Sequence, residues 1–267
     1  MSEPIYSTGN TKIKELVKLR ESPKHRRKLK YFVIEGYADL KCIYDFGRKI
    51  EEIFFCKELV ERSGLVKEFE EIQKTGLPIT ELSKAPFLKA SYRRSSDGFL
   101  AIGTTWPLNL ETSVSEDTKI SIVLDEVEKP GNLGAIIRTA EALGVNSILL
   151  SEPSVDYFNP NVVRSSRGLM AGIKVGIGKK EEVYAILKQS NFMMVGTSGR
   201  SKVSYWDQEF KNKTAFIFGS EKSGLGDFWT EQLSAQVKVP MKGAADSLNL
   251  HASVACIMAE YNRRQYT

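Results

Sequence analysis

The chain has 267 residues, 42 % of them hydrophobic and 27 % charged, and carries 38 lysines and arginines against 33 acids. That length suits one large domain or two smaller ones with a real apolar core. No run of 18 apolar residues offers a membrane span, no apolar signal segment opens the chain, and three scattered cysteines with two histidines form neither a disulfide frame nor a metal set. A reduced, cytoplasmic protein without membrane or metal is expected.

The basic residues are not spread evenly. Lys12, Lys14, Lys18, Arg20, Lys24, Arg26, Arg27, Lys28 and Lys30 fall in one stretch, opposed only by Glu15 and Glu21. Ile13, Leu16 and Val17 give that stretch an apolar stripe, so it can dock while its cations face outward. Such a cluster attracts phosphates and releases counterions. Lys18, Arg20, Lys24, Arg26 and Arg27 are the expected RNA contacts, a solvated helix face being the alternative.

Strand and helix signals then alternate. Residues 31–34 read as a strand ended by Gly36, 37–46 as a helix stopped at Gly47, 52–56 as a strand, 58–74 as a helix stopped at Gly76, and 99–103 as a strand. A basic polar loop, residues 91–97, precedes the last of these. Tyr92 could stack on a base there, and Arg93 or Arg94 could hold a phosphate. A plain exposed loop is the other reading. The expected division is a small α/β domain over 1–105, an aperiodic linker over 106–118 and a second domain over 119–267.

From Ile120 the pattern is a repeated β-α. Strands are expected at 120–124, 147–150, 173–176, 192–196, 215–218 and 237–239, and helices at 132–143, 181–189, 226–233 and 247–262. Strands alternating with helices mean a parallel sheet covered on both faces, with ligand-binding loops at one edge. Pro240 ends the last strand and Gly243 marks a loop. Asp246 or Ser247 is expected to cap the final helix, as Asn132 is expected to cap the first of this set.

Three strand–loop–helix segments carry the chemistry. The first holds Asn132, Gly134, Arg138 and Thr139; the second Gly219, Glu221, Gly224 and Leu225; the third Pro240, Met241, Gly243, Ser247, Leu248 and Asn249. Together, in this order, they resemble the three motifs of the SpoU/TrmH family, the RNA ribose 2′-O-methyltransferases of the SPOUT class. The basic start followed by Phe32-Val-Ile-Glu-Gly36 resembles the N-terminal RNA-binding domain of many SpoU enzymes. That domain often carries Pro-Gln-Gly before its last strand, where this chain has Ser95-Ser-Asp-Gly98.

The resemblance implies an α/β fold with a trefoil knot, S-adenosylmethionine as methyl donor, and a ribose hydroxyl of RNA, ribosomal RNA first and tRNA second, as acceptor. It implies a pocket for the donor from Thr197, Gly199, Gly219, Ser220, Gly224, Val239, Pro240, Met241, Leu248 and Asn249. Small residues let the backbone approach a ligand closely. Catalysis would rest on Arg138, with Asn132, Glu221, Ser247 and Asn249 as holders of ribose, loop or acceptor. Arginine is a poor base, its pKa lying above about 12, so an activated base and an orienting cation both stand as roles for Arg138. Glu221 either bonds loop backbone or helps place Arg138. His251 stands where the family has a small serine, as a packing change or as a new base.

Competing chemistries fit poorly. Leu225 follows Gly224 where a P-loop needs lysine, no G-x-G-x-x-G opens a helix, and no G-x-S-x-G elbow supports a hydrolase. A non-catalytic RNA-binding protein is the remaining rival. The final helix is apolar beyond one stripe, and with Ala140, Leu143 and Val145 it implies a homodimer through the C-terminal domain.

Overall fold

The structure is a computed structural model that describes residues 2–93 and 95–265. Arg94, one of the two arginines expected to hold a phosphate, lies outside them. The chain divides into two units. One comprises Met1–Trp106 with Asp156–Ala171, the other Pro107–Val155 with Gly172–Thr267.

The first unit is a five-stranded mixed sheet. Its strands are β1 (Ser2–Ile5), β2 (Tyr31–Glu35), β3 (Ile50–Phe55), β4 (Ile79–Leu82) and β5 (Phe99–Thr104), in the order β1-β4-β3-β5-β2. β5 runs antiparallel to both neighbours, β2 and β3. The basic stretch becomes two helices, α1 (Thr11–Glu21) and α2 (Pro23–Leu29). Asn10 caps α1, accepting from Lys12 N at 2.8 Å, and the helix buries Ile13, Leu16 and Leu19 from one face. Ser22 ends α1 and caps α2, where Pro23 needs no N–H partner at the first position. The expected single helix over 58–74 is two, α4 (Lys57–Arg62) and α5 (Val66–Lys74), because the chain turns at Gly64 with φ +72°. α3 (Tyr37–Asp45) and α6 (Lys84–Ala90) complete the unit's own helices before β5. The core joins Leu16, Leu19, Val33, Phe54, Leu82, Phe87 and Leu100.

Segment Asp156–Ala171 follows the first motif by some twenty residues yet packs in this unit. It carries α9 (Pro160–Ser165), capped by Asn159, and a 3-10 turn at Leu169–Ala171. Phe158 packs on Phe32 and Trp106, with centroids 5.2 and 4.8 Å apart. Arg48 lies over the Trp106 ring and donates to Ala171 O at 3.0 and 2.7 Å.

The second unit is a six-stranded sheet whose pairs are all parallel. It comprises β6 (Ile120–Asp125), β7 (Ser147–Ser151), β8 (Lys174–Gly178), β9 (Met193–Thr197), β10 (Thr214–Phe218) and β11 (Ala235–Val237), in the order β11-β9-β10-β6-β7-β8. Every residue of β6 and β10 is buried, as a doubly covered sheet requires. One face packs Trp229, Leu187 and Phe192 against Val123, Ala215 and Ile217. α8 (Pro130–Ala142), α10 (Lys180–Gln189), α11 (Asp227–Gln232) and α12 (Leu250–Gln265) are its main helices.

Residues 107–118, expected as a linker, are part of this packing. They form α7 (Leu110–Ser113), whose Leu110 and Ser113 are buried. Leu108 O accepts from Ile177 N at 3.0 Å, and a Cβ at Gly178 would lie 2.1 Å from Leu110 Cδ1.

Strand order reverses between β6 and β10. The chain runs outward from β6 through β7 to β8, then builds β9, β10 and β11 on the other side. Loops that leave the C-terminal ends of β6 and β10 therefore part in opposite directions, which opens a crevice for a ligand. These two loops are the first and second motifs.

Candidate active site

The first motif leaves β6 at Asp125 and enters α8 at Pro130, which occupies the first helical position with Lys129 before it. No side chain caps α8. Asn132, expected to do so, lies in the first turn instead, and its amide is used elsewhere. It donates from Nδ2 to Glu221 Oε1 and accepts from Asn249 Nδ2 at 3.3 Å. One asparagine thus joins the second motif to the third. Its amide donates from nitrogen on one side and accepts at oxygen on the other.

Glu221 also pairs with Lys129, and Lys222 pairs with Glu128 at 2.9 Å. Glu221 engages Lys129 and Asn132, not Arg138. Exposed pairs of this kind are worth about 0–1 kcal/mol each, so they set the register of the loops more than they stabilise the fold.

The second motif turns back tightly on itself. Ser220 N donates to Gly224 O at 3.1 Å and Gly224 N returns the bond at 3.0 Å. Gly224 holds φ +68°, and a Cβ at Gly219 would sit 2.1 Å from Gly224 C. Only glycine fits at 219. Leu225 leaves the turn and packs into the core.

The third motif follows β11, which ends at Val237, two residues before the expected end. Lys238 N bonds Val203 O at 2.9 Å and Lys238 O accepts from Tyr205 N at 3.0 Å, so the chain leaves the sheet there. Val239, Pro240 and Leu248 are half-buried, and Met241 is exposed. Asn249, not Asp246 or Ser247, caps α12, accepting from His251 N at 3.0 Å. Ser247 is exposed. The end of β9 meets the same region: Thr197 Oγ1 donates to Ile217 O at 3.3 Å, and a Cβ at Gly199 would lie 3.6 Å from Asp246 O.

His251 shares a 2.8 Å hydrogen bond with Thr139 Oγ1, and burial holds its pKa below the ordinary value. Thr139 lies seven residues after Asn132, hence on the same face of α8 two turns on. The start of α12 is pinned to α8 at both levels. This makes His251 a neutral structural partner in place of the small residue. Lys129 is a member of the cluster that sequence reasoning missed, since its role depends on Glu221 lying 92 positions away.

Arg138 sits one residue before Thr139 and is exposed, and no hydrogen bond or ion pair to another described residue engages it. A pair with Glu141, three residues on, would make it a plain surface arginine, and that pair does not form.

Two of the expected RNA contacts are used internally. Arg26 is 1 % exposed; its Nε donates to Asp156 Oδ2 at 2.7 Å and its Nη1 to Leu19 O and Arg20 O at 2.6 and 3.0 Å. It caps the carbonyls at the end of α1. Arg20 donates to Ser91 O and Lys89 O, tying α1 to the segment after α6. Lys18, Lys24 and Arg27 are exposed, and Arg93 is partly so.

Known proteins give this arrangement a family. Residues 119–259 match the SpoU rRNA Methylase family, and residues 10–101 match the MRM3-like substrate binding domain. A 23S rRNA (guanosine(2553)-2′-O)-methyltransferase of Bacillus subtilis is 28 % identical over 262 residues, 95 % of this chain and 97 % of the relative. A crystal structure of an RNA 2′-O ribose methyltransferase superposes with TM-score 0.87 at 31 % identity, covering 99 % of this chain and all of the other. An AdoMet-bound rRNA methyltransferase from Sinorhizobium meliloti superposes with TM-score 0.86 at 25 % identity, over 99 % and 98 % of the two chains. The family match spans more than half of the chain, and its motifs are the loops that Glu221, Asn132 and Asn249 tie together, so the chain belongs to the SpoU rRNA methylase family.

Proposed function

We propose that the chain transfers a methyl group from S-adenosylmethionine to a ribose 2′-hydroxyl of ribosomal RNA. The observation that carries this is the bonded series Lys129–Glu221–Asn132–Asn249, which fixes three loops at the point where strand order reverses, with Arg138 unengaged nearby. The loops suit the donor. Gly219 lets the second loop fold tightly on itself, Thr197, Gly199, Ser220 and Gly224 are small, and Val239, Pro240, Met241 and Leu248 offer apolar surface to an adenine.

The sulfonium of the donor makes its methyl electrophilic. The chain's own residues then have to align the acceptor and favour loss of its proton. Arg138 orients the hydroxyl and an adjacent phosphate with its planar fork. Asn132 and Asn249 hold the loop around the ribose, Glu221 keeps Asn132 in place, and Ser247 is free to meet the acceptor. Lys18, Lys24, Arg27 and Arg93 carry the RNA on the first unit, a reading supported by its match to a substrate-binding domain. No helix among the described residues is long and apolar enough to cross a membrane, and we place the protein in the cytoplasm with its RNA. The trefoil knot is also part of the proposal. The bonds that carry Lys238 past Val203 and Tyr205, and the approach of Gly199 to Asp246, support it.

The test is calorimetric titration with S-adenosylmethionine, followed by transfer of labelled methyl to unmethylated ribosomal RNA and to tRNA. Wild type should bind the donor and label ribosomal RNA at ribose. Gly219→Ala should bind it at least about tenfold more weakly, a change of about 1.4 kcal/mol. Wild type that binds no donor refutes the enzyme reading and leaves the RNA-binding scaffold. Labelled tRNA with unlabelled ribosomal RNA moves the substrate.

A homodimer through the second unit belongs to the same proposal, with one change. Ala140, Val145 and Met258, expected at the interface, are buried in their own core. The contact therefore falls to the half-buried Leu143, Ala252 and Ala255. Light scattering at micromolar concentration should give twice the chain mass; the mass of one chain ends the claim.

A further inference from the structure

Two buried carboxylates of the first unit lie under an exposed loop. Glu35 is 8 % exposed and closes β2. Its carboxylate accepts from the Ser91 hydroxyl, from Tyr92 N at 2.8 Å and from Arg93 N at 3.2 Å. Asp39, 2 % exposed, pairs with Arg93 at 3.4 Å and with Arg167 at 3.8 Å. Burying a carboxylate costs free energy unless several donors satisfy it. Here two are used to fix the backbone of a surface loop and the arginines beside it.

What the loop presents is Tyr92, 51 % exposed. The Arg164 guanidinium lies 5.7 Å from its ring centroid. Arg164 is itself oriented, its Nε and Nη2 donating to Asn161 Oδ1 at 3.2 and 2.6 Å. Arg167 stands next to it with φ +58° and half its side chain exposed, followed by Gly168, where a Cβ would lie 2.7 Å from Asp39 O. Arg164 and Arg167 come from segment Asp156–Ala171, Tyr92 and Arg93 from the loop before β5.

We infer that Tyr92 with Arg164 and Arg167 forms a site for one unstacked RNA nucleotide, the base lying on the tyrosine ring and its phosphate on the two arginines. An aromatic face and guanidinium planes held rigidly together are what single-stranded RNA uses, because an unpaired base exposes its π-face and duplex RNA does not. One guanidinium over the ring, with two more arginines held on Asp39, also suits a polyanion better than an apolar protein partner. The inference rests on the RNA methyltransferase reading and names the form of RNA that it engages. It makes Tyr92 a contact that holds the target region open, apart from the methyl-transfer site.

The experiment uses the full chain and fluorescence anisotropy with a labelled RNA of about 12 nucleotides, within the span such sites cover, first single-stranded and then annealed to its complement. Wild type should prefer the single strand. Tyr92→Ala should lose about tenfold in single-strand affinity, the order of one base stack, with duplex binding unchanged, and Tyr92→Trp should keep it. Arg164→Ala should weaken binding and lower the salt slope by roughly 0.7, one phosphate contact on a single strand. Each variant should melt as wild type does and bind S-adenosylmethionine equally. Tyr92→Ala that binds the single strand like wild type, or that loses duplex binding to the same degree, overturns the site, as does a lysate protein that competes with RNA only when Tyr92 is intact. Wild type that transfers no methyl, with the Tyr92→Ala loss still present, removes the enzymatic reading and leaves this site standing.

Discussion

Arg138→Ala should lower kcat by about 10²–10⁴-fold, the range for removing a group that assists proton transfer, while the affinity for S-adenosylmethionine stays within about twofold, too little for one lost hydrogen bond. The split follows from geometry. Arg138 bonds none of the residues that tie the three loops together, so its removal leaves Glu221, Asn132 and Asn249 in place. Arg138→Lys separates the two roles open to it. Lysine keeps the charge and loses the planar fork. Activity restored by lysine would mean that charge alone is needed; no restoration would mean that the fork positions the hydroxyl and its phosphate together. A parallel fall in donor affinity would sink the assignment and make Arg138 part of the donor pocket.

The second large effect is on stability. Arg26→Ala should cost about 3–5 kcal/mol, because it leaves the Asp156 carboxylate, only 13 % exposed, and the last carbonyls of α1 without their partner. At about 2–4 °C per kcal/mol this is a fall in Tm of roughly 6–20 °C. RNA affinity measured well below that Tm should change little. Replacing both partners with apolar residues, Arg26→Met with Asp156→Leu, should recover much of the loss, since no buried charge is then left alone. Were Arg26 an RNA contact after all, the single variant would melt normally and bind RNA less.

Arg26 shows where the sequence stopped being readable. A cation in a basic run looks like its neighbours, and nothing local tells that it has an acid partner 130 positions away. The same holds for Lys129 and Glu221. What local patterns do encode was found. The six strands of the second unit lie within two residues of their expected places, because parallel strands covered on both faces, as β6 and β10 are, are written as apolar runs between turn residues. Helix starts were read less well. Asp246, Ser247 and Asn249 are all good caps, and tertiary bonds to Asn132 decide for Asn249. β1, β4 and α6 were missed: β1 holds Pro4, which an edge strand tolerates, and α6 holds Pro86 in its first turn. The signals at Asn159 and Pro160 were present for α9, but no local signal names the sheet that α9 joins.

That destination affects experiments too. Removing residues 1–105 would strip Tyr157, Phe158, Val162 and Val163 of the unit in which they are buried. Such a truncation exposes a new apolar surface and tests more than RNA binding. Point changes at Lys18, Lys24 and Arg27 test RNA binding alone.

The late arrival of segment Asp156–Ala171 also sets a clock during synthesis. A ribosome adding about 5–20 residues per second makes Asp156 roughly 7–26 s after Arg26. Even once β5 has been made, the emerging first sheet lacks the acid for Arg26 and the aromatic cover for Phe32 and Trp106. The first unit therefore completes its packing only after β6 and β7, which precede segment Asp156–Ala171 in the chain, have been made.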